Sequence, residues 1–426
     1  MEKLRQFVSE HLNDDLSRLV LNSRKWPEID MNLAIACIES RHKLKNKVQD
    51  WYDNPDLIFP LKLSAEQCSS SATGHYKSEL AEHIAQMTLA SGNNAAVWSL
   101  ADLTGGLGVD SWYFSKKADK VLYNEMQTPL CDAARNNFKA LKSENILISN
   151  HAVAESKTRD CAEFGKSPSE LLSDFRPDII YMDPARRGEG GKKVFLIEEC
   201  TPDVLTLKDE LFTISRNILI KLSPMADITM VCERLGHTCR EVHVVAAGGE
   251  CKELLVWMDR EWNDEYSICA VELPSTYPDK EAAEFRFTQE EEKKACAPAA
   301  SEIEGFLFEP GKSITKAGAF NLVSQKMRIK KIGKSTHYYV TDDAVKAESL
   351  KSYGKVFRIS ECLPLDKRSI RQIGKDHPKA EVTAKNIPLT SDALRKKIGC
   401  ASGGEAHIFG LKSDIHGALL LVCNRM

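Results

Sequence analysis

The chain has 426 residues, 42% of them hydrophobic and 28% charged, with a formal net charge of −3. That length exceeds one ordinary domain, and the apolar fraction suffices for packed cores. No run of about 18 apolar residues occurs and no cationic leader precedes a short apolar stretch, so neither a membrane span nor export is expected.

Thirteen cysteines are scattered from Cys37 to Cys423 without a CxxC pair, which removes zinc ribbons and thioredoxin-like motifs. The closest grouping, Cys232, His237, Cys239, His243 and Cys251, matches no standard zinc spacing. Reduced thiols in the cytoplasm and no metal are therefore expected. The charge is uneven: from residue 311 onward 22 Lys and Arg face 10 Asp and Glu, leaving the first 310 residues at −15. A basic terminal module on an acidic body points to an anionic partner, most simply nucleic acid.

Residues 1–90 read as an N-terminal helical domain. In MNLAIACIESRHKLKNKV, Leu33, Ala36, Cys37, Leu44 and Val48 recur near helical spacing; Leu80, Ile84, Met87 and Ala90 form a second stripe. Asn54-Pro55 and Phe59-Pro60 break the helices. From 91 to 265, strand and helix patterns alternate: AAVWSLADL, KVLYNE, ILISN, PDIIYMD and ILIKLS are strand candidates, followed by EVHVVAA and ELLVWM as an antiparallel hairpin. Such alternation predicts an α/β, doubly wound parallel sheet. Residues 275–300 read as a polar connection. The basic α+β segment that follows ends in a hairpin, HIFGLK and GALLLVC.

The stretch DLTGGLGVD, residues 102–110, lies between a strand and a helix. Glycine there permits a tight turn and close approach of a ligand. A dinucleotide fingerprint needs GxGxxG, and the third place here is Ser111. The alternative is S-adenosylmethionine (SAM), whose loop carries an acid before the glycines and whose second strand ends in an acid for the ribose hydroxyls. Glu125, in VLYNEM, stands in that place. PDIIYMDPARRG then brings Asp183-Pro184 to the carboxyl end of a central strand, facing the same crevice. A carboxylate there can accept a hydrogen bond from an exocyclic amine and orient its lone pair toward a methyl group.

These residues resemble a class I SAM-dependent methyltransferase. DLTGGLGVD is similar to its first motif, Glu125 to its second-strand acid and DPAR to its fourth motif, which is related to the (D/N)PP(Y/F) of amino-methylating enzymes. SAEQCSSSATGHYKSEL, DPARRG, EPGKSITKAGAF and LRKKIGCASGGEAHIFG resemble a bacterial group that carries a small ferredoxin-like insert and a C-terminal THUMP-like domain. The resemblance implies a Rossmann-like methyltransferase domain over 91–265, a ferredoxin-like domain over 275–323 and a THUMP-like domain over 324–426. It implies that Asp102, Gly105, Gly106 and Gly108 shape the cofactor pocket, with Thr104 near the methionine end, Glu125 on the ribose and Met126 beside the adenine. Gln67, Tyr76 and Lys77 would close over the pocket, and Asn150 would replace the acid that meets the adenine amine. Asp183, Pro184 and Arg186 would form the catalytic turn.

After Asp183-Pro184 come Ala185-Arg186 instead of proline and an aromatic, so Arg186 or Arg187 would stack or bind phosphate in its place. Carbon-5 pyrimidine methylation would need a cysteine near that motif, and Cys200 reads as too far along the chain. The leading expectation is methylation of a base amine nitrogen in tRNA or rRNA. Lys326, Arg328, Lys330, Lys331, Arg395, Lys396 and Lys397 would make the phosphate contacts. A small-molecule or protein methyltransferase, and an RNA-binding protein that retains SAM without catalysis, are the alternatives.

Overall fold

The computed structural model describes residues 2–89, 97–154, 165–186 and 197–426; for Leu89 and Arg186 it describes the backbone alone. Ala90, Arg187 and the segments around them lie outside the described residues. The chain forms two compact units, Met1–Val242 with Glu253–Tyr266, and His243–Lys252 with Ser267–Met426.

The first unit opens with helices Glu2–Glu10, Leu16–Leu21, Met31–Leu44, Gln49–Asp53, Lys62–Gln67 and Ser71–Leu89. Asp15 and Asp30 each cap one of them by accepting N–H groups of the first turn. The buried stripe of Met31–Leu44 is Ala34, Cys37, Ile38, Arg41 and Leu44, a face turned from the predicted one, so that Leu33 is only partly buried. Arg41 belongs to this stripe because its guanidinium donates to the carbonyls of Tyr52, Asn54 and Leu57 at 2.9, 2.9 and 3.0 Å. It thereby satisfies the backbone of the predicted Asn54-Pro55 break. In Ser71–Leu89, Leu80 and Ile84 are buried but Met87 is 52% exposed.

Residues 1–90 fall in one compact unit with the sheet that follows them. Leu4, Phe7, Val8, Leu19 and Ile38 share one apolar cluster with Ala133, from the helix Thr128–Ala140 beside the sheet. The Asn137 side chain also exchanges two 2.8 Å hydrogen bonds with the main chain of Ile58. The cluster is built almost wholly from the first helices, and Ala133 joins it from the helix layer that follows.

The sheet of this unit contains β1 (Ser99–Asp102), β2 (Lys120–Asn124), β3 (Ile146–Ser149), β4 (Ile179–Met182) and β5 (Asn217–Leu222) in the spatial order 3-2-1-4-5, all parallel. β6 (Cys239–Ala247) leads through Gly248-Gly249 into β7 (Glu250–Asp259), which runs antiparallel to β5. Every predicted strand of this region forms. Strand order reverses on either side of β1, and such a reversal opens a crevice at the carboxyl ends of the strands.

In the second unit, residues 275–300 are not merely a polar connection. β8 (Ser267–Leu273), which sequence reading missed, pairs antiparallel with β9 (Ala283–Thr288). The helix Gln289–Lys294 follows, begun by a capping box of Thr288 and Glu291. A seven-stranded sheet then contains β10 (Phe306–Pro310), β11 (Lys330–Gly333), β12 (Thr336–Thr341), β13 (Gly354–Pro364), β14 (Glu381–Lys385), β15 (Ala406–Ser413) and β16 (Gly417–Arg425). Their order is 11-12-10-13-16-15-14.

The predicted final hairpin is the antiparallel pair β15–β16. Alternate residues of β16 serve two cores. Leu419, Leu421 and Cys423 join Phe357 and Phe409, whereas Leu420 and Val422 join Ile373, Leu394 and Ile398 from two covering helices. The period-2 pattern is lost in GALLLVC because both faces are buried.

Candidate functional site

The loop after β1 is held from below. Asp102 is buried, its Oδ1 accepting from the Thr104 N–H at 3.1 Å and its Oδ2 from the Ser111 hydroxyl at 2.5 Å. Burial pushes its carboxyl up to about 8, against the lowering effect of those two donors. The three glycines have separate causes. A Cβ on Gly105 would lie 2.2 Å from the Tyr123 ring, and one on Gly108 would lie 2.8 Å from Phe138. Those two are therefore demanded by aromatic side chains of the protein itself. Gly106, at φ +54, is the one with open space beside it: no atom comes nearer than 3.9 Å to its ideal Cβ.

Glu125 faces that open place. Its Oε2 accepts the Gly106 N–H at 2.9 Å and its Oε1 the Gln127 N–H at 2.8 Å, which orients the carboxylate and leaves each oxygen a further lone pair. A vicinal diol is recognised by such a group. Met126 beside it is 63% exposed, an apolar surface at the same strand end. Asn150 ties β2 to β3: its amide donates to the Glu125 carbonyl at 2.7 Å, and its Oδ1 accepts from Thr128 at 2.9 Å. An oriented carboxylate beside open space and an exposed apolar side chain fit the chemistry of an adenosyl cofactor.

Asp183 stands at the carboxyl end of β4, and its main-chain N–H donates to Thr104 Oγ1 at 2.6 Å. The loop after β1 and the Asp183-Pro184 turn thus meet through one hydroxyl. The Asp183 carboxylate is 38% exposed and pairs with the Lys221 ammonium at 2.5 Å; Pro184 behind it is buried. Beyond this pair lies a buried row of charges. Lys77 reaches Glu253 at 2.6 Å and Asp110 at 3.4 Å, and Tyr181 donates to Asp110 at 2.8 Å.

Burial opposes the charge on Asp110, Glu253 and Lys221. Lys77 and Lys221 nevertheless hold Asp110 below the usual carboxylate range, whereas Glu253 stays above it. For Lys221, burial is outweighed by Asp183, Asp110 and Glu253, and its ammonium is held above the ordinary lysine value. Lys221, Asp110 and Glu253 were not anticipated as site residues. Their signal was a cation inside the apolar run ILIKL, an acid in the first turn of the helix VDSWYFS and an acid opening the apolar run ELLVWM.

Gln67, Tyr76 and Lys77 have different surroundings. Gln67 is exposed at the end of its helix, Tyr76 is buried, and Lys77 is fully buried against Glu253. Ala185–Arg186 pairs antiparallel with Cys200–Thr201, Arg186 opposite Cys200. The expectation that Cys200 lies far from the fourth motif is therefore corrected: strand pairing brings it opposite Arg186 despite the chain distance. Cys232 and Cys239 place their thiols 3.4 Å apart. Among the described residues no group of three His, Cys, Asp or Glu side chains is arranged to hold a metal ion.

The basic residues of the second unit divide. Lys331 is buried and donates to Asn321 Oδ1 at 3.1 Å, and Lys326 is engaged by the Arg286 carbonyl and Glu291. Lys331 is thus no surface contact. Arg328, Lys330, Lys396 and Lys397 are exposed, while Arg395 is partly buried and pairs with Asp392 at 2.8 Å. The helix Lys367–Asp376 adds exposed Lys367, Arg368, Arg371 and Lys375. It packs on Ser391–Ile398 where Gly374 has no Cβ to strike the Ile398 carbonyl, at 2.0 Å.

The chain is similar over 99% of its length to 97% of a crystallised protein from Porphyromonas gingivalis W83 that is named as a proposed methyltransferase, with 29% identity and a TM-score of 0.81. An rRNA methylase from Streptococcus thermophilus aligns with 42% of this chain and 93% of its own, at 12% identity and TM-score 0.28. A SAM-dependent methyltransferase from Agrobacterium tumefaciens aligns with 44% and 61%, at 13% identity and TM-score 0.29. No curated protein matches the chain. Family models match residues 306–347, as a ferredoxin-like domain, and 354–425, as a THUMP-like domain.

The fold is that of a class I methyltransferase, a mixed α/β protein with a mainly parallel sheet and a second sheet in its C-terminal region. More particularly, the chain is similar along its length to that proposed methyltransferase, and a ferredoxin-like and a THUMP-like domain follow the sheet. The matched ranges do not coincide with the expected 275–323 and 324–426. One sheet also serves both, since β10 pairs with β13 across the gap between them.

Proposed function

We propose that the chain is a cytoplasmic SAM-dependent methyltransferase acting on an amine nitrogen of a base in tRNA or rRNA. The observation that carries this reading is the joining of the glycine loop to the Asp183-Pro184 turn through Thr104, because transfer requires donor and acceptor to be held at one point. Gly106, Glu125 and Met126 would hold the nucleoside end of the cofactor, and Asp102 and Thr104 would border its amino-acid end. When bound, SAM supplies a methyl group carried on a sulfonium.

Asp183 would accept an N–H hydrogen bond from the acceptor amine and turn the nitrogen lone pair toward the donor side. Pro184 restricts the turn, and Thr104 anchors its main chain. The proton released from the nitrogen passes to solvent. Arg186 would take the place of the aromatic that steadies a base in related motifs. The THUMP-like domain, with Lys396 and Lys397 exposed beside the basic helix Lys367–Asp376, supports an RNA acceptor over a small molecule.

The test is incubation of the full chain with methyl-labelled SAM and size-fractionated RNA from bacteria that lack the protein. Label entering one fraction, and absent with Asp183→Ala, supports the reading. SAM binding without label in any RNA would remove RNA as acceptor.

A further inference from the structure

Asp183 is not alone at its strand end. Lys221 lies on β5, beside β4 in parallel register with Met182 opposite Ile220, and its side chain is 13% exposed. Its ammonium meets Asp183 Oδ2 at 2.5 Å, while among the described residues Asp183 Oδ1 accepts no hydrogen bond. A carboxylate at a strand end can otherwise rotate about its last torsion, so that either oxygen faces the acceptor.

The other acids near Lys221 are already engaged. Glu253 takes Lys77 at 2.6 Å, and Asp110 takes the Tyr181 hydroxyl at 2.8 Å with Lys77 at 3.4 Å. Neither draws Lys221 away, and together they favour its charged form.

We propose that Lys221 is a positioning residue for methyl transfer: it pins Asp183 by Oδ2 and leaves Oδ1 as the oxygen that meets the acceptor amine. The inference rests on the methyltransferase reading above. Lys221 touches neither donor nor acceptor in this role and acts through Asp183 alone. In the transfer, the nitrogen lone pair forms the new bond to the methyl carbon and the sulfonium keeps the pair of the broken bond. The proton leaves the nitrogen for water, so Lys221 holds its own proton throughout.

The experiment compares wild type, Lys221→Met, Lys221→Arg, Asp183→Asn and the Lys221→Met/Asp183→Asn double variant as full chains. Three quantities are measured: binding of S-adenosylhomocysteine by calorimetry, the unfolding midpoint, and kcat and KM for labelled transfer into the RNA fraction. Lys221→Met should lower kcat by about 10²-fold, the scale expected for a misplaced reacting group, with cofactor binding little changed. Lys221→Arg should recover most of the loss. In the Asp183→Asn background the same substitution should cost little more, and the double variant should unfold at a higher temperature than Lys221→Met alone, which leaves a carboxylate uncompensated.

An equal kcat loss from Lys221→Met in both backgrounds overturns the proposal, as does a loss explained entirely by weaker cofactor binding. A wild-type chain that binds the cofactor but labels no RNA overturns the underlying reading instead, and that failure is visible before any variant is made.

Discussion

The hydroxyl of Thr104 accepts the main-chain N–H of Asp183 at 2.6 Å, so a side chain in the glycine loop fixes the turn at the end of β4. Thr104→Val keeps the shape and removes the acceptor. It should lower stability by about 1 kcal/mol, the usual cost of one such bond, and reduce transfer more than it reduces cofactor binding. Thr104→Ser should restore both. Thermal unfolding and initial rates distinguish the two variants.

Asp102 makes stability depend on pH. Its folded value of about 8 lies above the ordinary 3.8, so the folded chain keeps a proton that the unfolded chain has lost. Its contribution to stability is therefore greatest below the unfolded value and declines as pH rises toward about 8. Asp102→Asn removes this term. The variant should show a flatter midpoint-against-pH curve between about pH 4 and 8, with its gain over wild type largest at the alkaline end. A wild-type curve no steeper than that of the variant would contradict the assignment.

The two central glycines of the loop should respond differently to alanine. Gly105→Ala drives a methyl into the Tyr123 ring and should cost about 1–3 kcal/mol, the range for overpacking. Gly106→Ala meets open space but keeps a positive φ, and should cost about 1 kcal/mol while weakening cofactor binding more than its stability loss explains. Urea unfolding gives the first comparison and calorimetry with S-adenosylhomocysteine the second.

Lys77 is fully buried between Glu253 and Asp110. Lys77→Met leaves two carboxylates without it and should destabilise the chain by about 3–5 kcal/mol. Adding Glu253→Gln should recover part of that loss, which a denaturant series on both variants would reveal.

The charged residues of the second unit should separate into binding and structural groups. Lys396→Glu with Lys397→Glu should weaken RNA binding and make its salt dependence shallower, with unfolding unchanged. Lys331→Ala should do the reverse, because its ammonium is buried against Asn321. RNA titrations at two salt concentrations, with an unfolding midpoint for each variant, check both halves.

The candidate site is built from residues of two kinds. Asp102, Gly106, Glu125 and Asp183 were legible because each stands at a strand end in a fixed order along the chain, and strand ends are recognisable from apolar runs closed by glycine or proline. Lys221, Asp110 and Glu253 were not, because a charge within an apolar strand or at a helix start does not name its partner. The roles of Gly105 and Gly108 were likewise hidden: the rings that exclude a Cβ come from Tyr123 and Phe138, 18 and 30 residues further on.

The sequence by itself determined the alternation of strands and helices, the parallel sheet, the terminal hairpin and the uneven charge, since these follow from local periodicity and composition. Only the tertiary structure decided that the first helices pack against the helix Thr128–Ala140, that one sheet joins the ferredoxin-like and THUMP-like parts, and that Cys200 lies opposite Arg186. It alone also brought Lys221 to Asp183. Burial and strand pairing couple residues by distance in space, and the chain must close on itself before charges from five separate elements can balance one another.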